Sequence, residues 1–332
     1  MQRCLTLAQK GLSFVAPNPM VGCVIVHNNK IIGEGYHKVY GGPHAEVNAI
    51  NSVEEKELLK EATVYVNLEP CNHYGKTPPC SDLLIKHQVK TVVIGCIDSF
   101  DKVAGKGIEK LRKAGIEVIT GILEKESREL NKRFFTFHEK KRPYIILKWA
   151  QTNDGFIGNK ENTWISGTEA KTLVHQWRSE ETGILIGRNT AIIDNPQLTT
   201  RLVQGKNPIR IVIDLSLKTT KNLNIFDNSS PTLIFNSIKN ETKNNVEWIK
   251  INTQHTLQNI CDILYQKGIN SIIVEGGAQT LQSFIDTNLW DEALVFQSNK
   301  EFKEGIKAPR IKKHHENINF IGNDKLITLR NR

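Results

Sequence analysis

The chain has 332 residues, more than a single hydrophobic core usually serves, so two domains of ordinary size are expected. Hydrophobic residues make up 39% and charged residues 24%, near globular averages, which favours neither a disordered nor a membrane-embedded chain. Lysine and arginine (44) outnumber aspartate and glutamate (35), and the formal charge of +9 suits anionic partners such as phosphates or nucleic acid without choosing between them.

The start, MQRCLTLAQKGL, is amphipathic and lacks the apolar core of a signal peptide. No apolar run approaches the roughly eighteen residues that span a bilayer, so a cytoplasmic protein is expected. VGCVIVHNNKIIGEGYH (21–37) reads as two strands about an Asn-Asn turn, because asparagine tolerates positive φ. PHAEVNAINSV (43–53) reads as a helix with Pro43 suited to its first turn, ATVYVNLE (62–69) as a strand and SDLLIKHQ (81–88) as a helix. TVVIGCID (91–98) is a buried strand, GIEKLRKAG (107–115) a helix and IEVITGIL (116–123) a further strand, the order of a three-layer α/β domain.

Residues 124–140 predict one polar helix that carries the chain out, and Pro143 ends it, so the domains are placed at 1–141 and 142–332. Beyond the boundary, YIILKWA (144–150), GILIGR (183–188), IRIVIDLS (209–216), TLIFN (232–236) and SIIVEGG (271–277) are strand-like. The segments 169–180, 256–268 and 278–289 are helical and alternate with several of them, which predicts a second α/β domain.

Six cysteines are too few and too scattered for a disulfide framework in a chain this long. Cys23, Cys96 and Cys261 lie in apolar runs and Cys4 in the amphipathic start, whereas Cys71 and Cys80 lie in the Pro-flanked stretch EPCNHYGKTPPCSD (69–82). Catalytic zinc takes three nitrogen or thiolate ligands and keeps its fourth position for water, whose pKa it lowers to roughly 7. His44, Cys71 and Cys80 supply that set, and Glu46 supplies the carboxylate that shuttles a proton to the leaving group. Positions two apart converge only near the helix start, where the dipole also favours the acid. Taken singly, Glu46 could be a helix-terminal charge, His44 a cap, and the cysteines a closed structural site completed by His73. Together, H-x-E followed by a P-C turn and a second cysteine match the zinc deaminase signature, except that eight residues instead of two separate the cysteines.

In the second half the histidines are scattered and Cys261 is alone, so its chemistry must come from a cofactor. VEGGAQTL joins a strand to a helix through two glycines, a turn able to offer backbone N–H groups to a phosphate, although it is not a G-x-G-x-x-G fingerprint.

PNPMVGCVIV, GGPHAEVNAI and EPCNHYGKTPPC in the first half, with KWAQTNDG, WISG, GRNTAIIDNPQLTTR, IRIVID and VEGGAQTL in the second, closely resemble the bifunctional riboflavin-biosynthesis deaminase-reductase family. The resemblance covers nearly the whole chain. It implies an N-terminal cytidine-deaminase-like α/β/α domain that removes an amino group from a diaminopyrimidinone ribosyl phosphate. It also implies a C-terminal dihydrofolate-reductase-like α/β domain that reduces the ribose with NADPH. By position, Asn18, His37, His73, Lys76 and Asp98 would surround the pyrimidine and its phosphate. Ala150, Trp164, Thr190, Leu215 and the turn Gly277, Ala278, Gln279, Thr280, Leu281, Gln282 and Ser283 would hold NADPH. Asn162, Arg178, Asp194, Leu198, Arg201 and Glu275 would hold the sugar phosphate, with Lys148 and Glu275 near the reacting carbon. Leu215 departs from the serine of relatives, and the C-terminal end is shorter and more basic than theirs.

A small-molecule phosphorylated pyrimidine is therefore the expected partner, with zinc and NADPH as cofactors, no nucleic acid, no membrane, and a homo-oligomer as the assembly. A nucleic-acid or nucleoside deaminase with a fused binding domain is the rival reading, but it should show aromatic positions among basic loops. A non-enzymatic zinc-stabilised module leaves Glu46 without a task.

Overall fold

The computed structural model describes all residues except 75–77, 100–103, 162, 313–314 and 332. The chain divides into two compact units, Met1–Lys141 and Arg142–Arg332. Among the described residues no helix is long and apolar enough to cross a membrane.

In the first unit, strands β1 (Gly22–His27), β2 (Lys30–Tyr36), β3 (Thr63–Leu68), β4 (Thr91–Cys96) and β5 (Glu117–Thr120) form one sheet in the order β2-β1-β3-β4-β5. β1 runs antiparallel to both neighbours, while β3, β4 and β5 are parallel. The β1–β2 turn places Asn28 and Asn29 at φ 48° and 59°, conformations asparagine tolerates. Side chains alternate across the sheet: Cys23 and Ile25 join Ala45, Ala49 and Ile50 in one core, while Val24 meets Cys4 and Leu7 on the other face. Helices α2 (Ala45–Ser52), α3 (Cys80–Lys86) and α4 (Lys106–Lys113) cover the first face, and α1 (Gln2–Gln9) and α5 (Glu124–Leu130) the second, giving three layers. Gly35 lets α2 lie flat on the sheet, since a Cβ there would meet the Ala49 nitrogen at 2.3 Å.

Two expectations change. The helix expected to include Pro43 begins at Ala45, because His44 is extended (ψ 167°) and caps it. The single polar helix over 124–140 is two helices, α5 and α6 (Lys132–Lys140), broken at Asn131, whose side chain bonds both the amide and the carbonyl of Met20. The second of them is not polar on its inner side, where Phe134, Phe135 and Phe137 are buried.

In the second unit, strands β6 (Tyr144–Gln151), β8 (Gly183–Gly187), β9 (Ile209–Ile213), β10 (Thr232–Asn236), β12 (Val246–Lys250), β13 (Ser271–Val274) and β14 (Glu292–Gln297) are parallel. With β11 (Glu241–Lys243), β16 (His315–Ile321) and β17 (Asp324–Arg330) they form a ten-stranded sheet ordered β11-β12-β10-β9-β8-β13-β6-β14-β17-β16. A short ladder of β7 (Phe156–Gly158) and β15 (Ile306–Lys307) stands apart. Both faces are apolar, with Leu147, Leu185 and Val274 in one core and Ile146, Ile186 and Ile273 in the other, as continuous Val/Ile/Leu runs in parallel strands require. The described helices α7 (Thr168–Glu180), α8 (Arg188–Ile193), α9 (Thr256–Gln266) and α10 (Ala278–Asp286) complete the unit. The basic C-terminal stretch forms the β16–β17 hairpin, and β17 pairs with β14.

Candidate active sites

In the first unit, His44 Nδ1 lies 3.5 Å from Cys71 Sγ and 3.4 Å from Cys80 Sγ. The three ligand atoms are all within 4.8 Å of one another and are the metal-competent cluster of the described residues. Long cysteine spacing is accommodated by clipping the loop at its base: Cys80 opens α3, its backbone N–H donates to Cys71 Sγ (3.3 Å), and Ser81 N–H donates to the Cys71 carbonyl (3.1 Å). A hydrogen bond from the Cys80 thiol, together with His44, holds the Cys71 thiol well below its ordinary range, while Cys71 and burial push Cys80 up. The His44 imidazole, bonded to Cys71, is raised to about 8. Two sulfurs and one imidazole nitrogen at these separations are the donor set zinc takes in an open tetrahedral site.

Glu46 sits in the first turn of α2, 3% exposed, and burial followed by the negative charge of Cys71 raises its carboxyl above the ordinary range. His37 stands edge-on to His44, with ring centres 5.4 Å apart. The Pro43 carbonyl can only accept, so His37 Nδ1 (3.0 Å) carries the proton and Nε2 accepts from the Asn18 amide at 3.2 Å. His73 is partly buried two residues past Cys71 and outside the ligand cluster. Lys76 and Asn162, both expected site residues, lie outside the described residues.

Sequence reading missed Glu69. Its buried carboxylate accepts N–H bonds from Asp98 (3.2 Å), Gly105 (2.9 Å), Gly107 (2.9 Å) and Ile108 (3.3 Å), fixing both Asp98 and the start of α4. The signal was present in the E-P-C stretch, where an acid directly precedes the cysteine turn.

In the second unit the C-terminal ends of adjacent parallel strands converge, where open α/β sheets carry ligand groups. Glu275 follows β13; Arg178 of α7 donates to it through Nε (2.9 Å) and Nη2 (2.8 Å), and Lys148 of β6 lies 3.4 Å away. Burial alone would raise this carboxyl, but Lys148 and Arg178 outweigh it and hold it down to about 2. Arg201 joins through Thr199, whose carbonyl meets Arg178 and whose hydroxyl accepts from Arg201, and the Arg201 N–H donates to His175 Nδ1 at 3.0 Å. Leu198 is buried at φ 56° at the start of this bend. His175 was not anticipated, because a lone histidine on a helix carries no pattern.

The second unit also holds a cavity of about 1110 Å³. Thr190, Asp194, Leu215 and the first turn of α10 line it. No acid stands in that turn, which fits an anion at the helix start. Gly277 is held by its N–H bond to Thr190 Oγ1 (2.9 Å), and Gly187 passes so close to Thr280 that a Cβ would meet its hydroxyl at 2.4 Å. Ser283 also faces the cavity, whereas Leu281 is buried in the core and Gln282 bonds Arg310 and Asp286. Ala150 and Trp164 are not in the cavity wall; the Trp164 ring is 62% exposed beneath Lys171.

Residues 1–96 match the family described as the cytidine and deoxycytidylate deaminase zinc-binding region, and residues 143–300 match the RibD C-terminal domain. The riboflavin biosynthesis protein RibD of Aquifex aeolicus is 41% identical over 92% of this chain and 88% of its own length. A crystal structure of a diaminohydroxyphosphoribosylaminopyrimidine deaminase/5-amino-6-(5-phosphoribosylamino)uracil reductase from Thermotoga maritima is similar with a TM-score of 0.91 at 39% identity, covering 99% of this chain and 97% of that one. RibD of Acinetobacter baumannii is similar with a TM-score of 0.90 at 31% identity, over 99% of this chain and 97% of its own.

Proposed function

The chain belongs to the RibD family of bifunctional riboflavin-biosynthesis enzymes, which join a zinc-dependent deaminase to an NADPH-dependent reductase, and we propose that its two halves act in turn on one phosphorylated pyrimidine. Residues 1–141 hydrolyse the 2-amino group of a diaminopyrimidinone ribosyl phosphate, and residues 142–332 reduce the ribosyl group of the product to ribityl.

The observation that best supports this reading is the His44, Cys71 and Cys80 triangle with the buried Glu46 beside it. Bound zinc supplies a water acidic enough to attack carbon at neutral pH. Glu46, whose carboxyl burial raises above its ordinary range, accepts a proton from the attacking water and passes it to the departing amino group, which leaves as ammonia. Asn18 and His37, locked in one tautomer, offer fixed polar groups to the pyrimidine edge. His73, Lys76 and Asp98 complete the reading as partners of the base and its phosphate.

In the second half, NADPH supplies a hydride to the ribosyl carbon. Thr190, Leu215 and the α10 turn seat it, whereas Ala150 and Trp164, which the family resemblance implies as further contacts, stand outside the cavity wall. Arg178 and Arg201 suit the substrate phosphate, since a guanidinium binds two oxygens at once. Lys148, 3.4 Å from Glu275, is the proton donor in this reading and serves the oxygen released as the ring opens. Asn162, Asp194 and Leu198 shape the same sugar site. A phosphorylated substrate, too charged to cross a bilayer unaided, supports action in the cytoplasm, and a homo-oligomer belongs to the same reading.

The test is a two-stage assay on zinc-loaded protein. Ammonia is released from the diaminopyrimidine substrate without NADPH, and NADPH oxidation follows only after that release. No ammonia at full zinc occupancy would refute the reading.

A further inference from the structure

We propose that Arg188, docked on Ser216, is the residue by which this chain selects NADPH over NADH, through the 2′-phosphate that distinguishes them. The inference rests on the reading of the cavity as the NADPH site.

Among the described residues that line the cavity, Arg188 is the lone lysine or arginine. Its Nη1 donates to Ser216 Oγ at 2.8 Å, and among the described residues no carboxylate pairs with it, so its charge is available to a ligand. It is anchored, yet keeps most of its guanidinium donors. Position follows from its neighbour: Gly187 abuts Thr280 in the first turn of α10, where the diphosphate would sit. Arg188, one residue on from that contact, lines the same cavity and can meet a second anionic group of a ligand held at the α10 turn.

Leu215 packs on the core and joins Ile213 and Leu257 in the cavity wall. That wall suits an adenine face, and it offers no hydroxyl to a phosphate. Ser216, one residue further, carries the hydroxyl instead and is tied to the arginine. A planar guanidinium with an adjacent hydroxyl is suited to a dianionic phosphate, and NADH gives that pair nothing to bind.

The experiment measures dissociation constants of NADPH and NADH by calorimetry on the full chain and on Arg188→Gln, Arg188→Lys and Ser216→Ala. We expect Arg188→Gln to weaken NADPH by about 10- to 100-fold, the loss of a charge-assisted contact, while NADH changes less than about twofold and so reports an intact fold. Arg188→Lys should recover part of the affinity, and Ser216→Ala should lose less than Arg188→Gln. Equal weakening of both cofactors would assign Arg188 to the diphosphate and overturn the proposal, as would unchanged NADPH binding in Arg188→Gln. Failure of the unaltered chain to bind either cofactor would instead overturn the reading of the cavity.

Discussion

Arg178 grips Glu275 with two nitrogens, Nε at 2.9 Å from one carboxylate oxygen and Nη2 at 2.8 Å from the other, and Lys148 closes on the same group from the neighbouring strand. Held at about 2, the carboxylate contributes stability that is full above its ordinary 4.5 and is lost as pH falls from there through 2. The contribution is on the order of 3 kcal/mol at neutral pH. All five tryptophans lie beyond residue 142, so their fluorescence reports this half alone. Glu275→Gln should lower its urea stability at pH 7 by roughly 3–5 kcal/mol, as two cations lose their counter-charge, and abolish reduction while deamination continues. Unchanged NADPH oxidation alongside lost deamination would refute the two-site assignment.

Glu46 and the three ligands separate chemistry from metal retention. Glu46→Gln should keep zinc and lose about 10²- to 10⁴-fold in deamination, since an amide cannot carry the proton. His44→Ala, Cys71→Ser and Cys80→Ser should each lower bound zinc and the melting temperature of the first half. Zinc analysis beside ammonia release checks both, and full occupancy in a ligand variant would remove that residue from the set.

His175 carries a pH prediction of its own. Its Nδ1 accepts the Arg201 N–H, and burial, with the charges of Arg178 and Arg201, lowers the imidazole to about 4. Between pH 6.5 and 4 the unfolded chain binds a proton that the folded chain refuses, so stability of the second half should fall as pH drops through that window. Gln offers an oxygen to the same N–H without titrating. Tryptophan-monitored urea unfolding at pH 7.5 and pH 5 should show a smaller loss in His175→Gln than in the parent; equal losses would count against the assignment.

The start of the second half can be fixed to one residue. Arg142 is buried and donates to both oxygens of Asp291, at 2.5 and 2.8 Å, and to the Pro143 carbonyl at 2.8 Å. A fragment from Lys141 should fold and bind NADPH. One from Pro143 leaves the Asp291 carboxylate the Ile145 N–H but no Arg142 guanidinium, and should be less stable by roughly 3–5 kcal/mol in urea. Equal midpoints would show that the pair carries no net stability.

Period and turn chemistry made much of this legible in sequence. The Asn28-Asn29 hairpin and the Val/Ile runs of β4, β8 and β13 rest on short-range patterns, and the His44, Cys71 and Cys80 set on a motif of residue types with a metal's ligand chemistry. What escaped depends on partners distant in sequence. Asn131 breaks a helical run because it is bonded to Met20, 111 residues away, and no local propensity encodes that. Glu69 gathers amides from residues 98 to 108, and His175 acquires its role from Arg201 across a bend. Strand β14 was overlooked since EALVFQ begins with an acid, which the structure buries.

Strand β17 has a consequence for the order in which the chain matures on the ribosome. The sheet of the first unit draws only on residues 22–120, and its last helix ends at residue 140, so that unit can close while the remainder is still being translated. The larger sheet cannot, because the flank of β14 stays bare until residues 324–330 emerge to pair with it. A chain stalled before that point would display a finished deaminase tethered to an open strand edge, the kind of surface that recruits chaperones or seeds aggregation. Translation thus delivers the two activities in the order in which the substrate needs them.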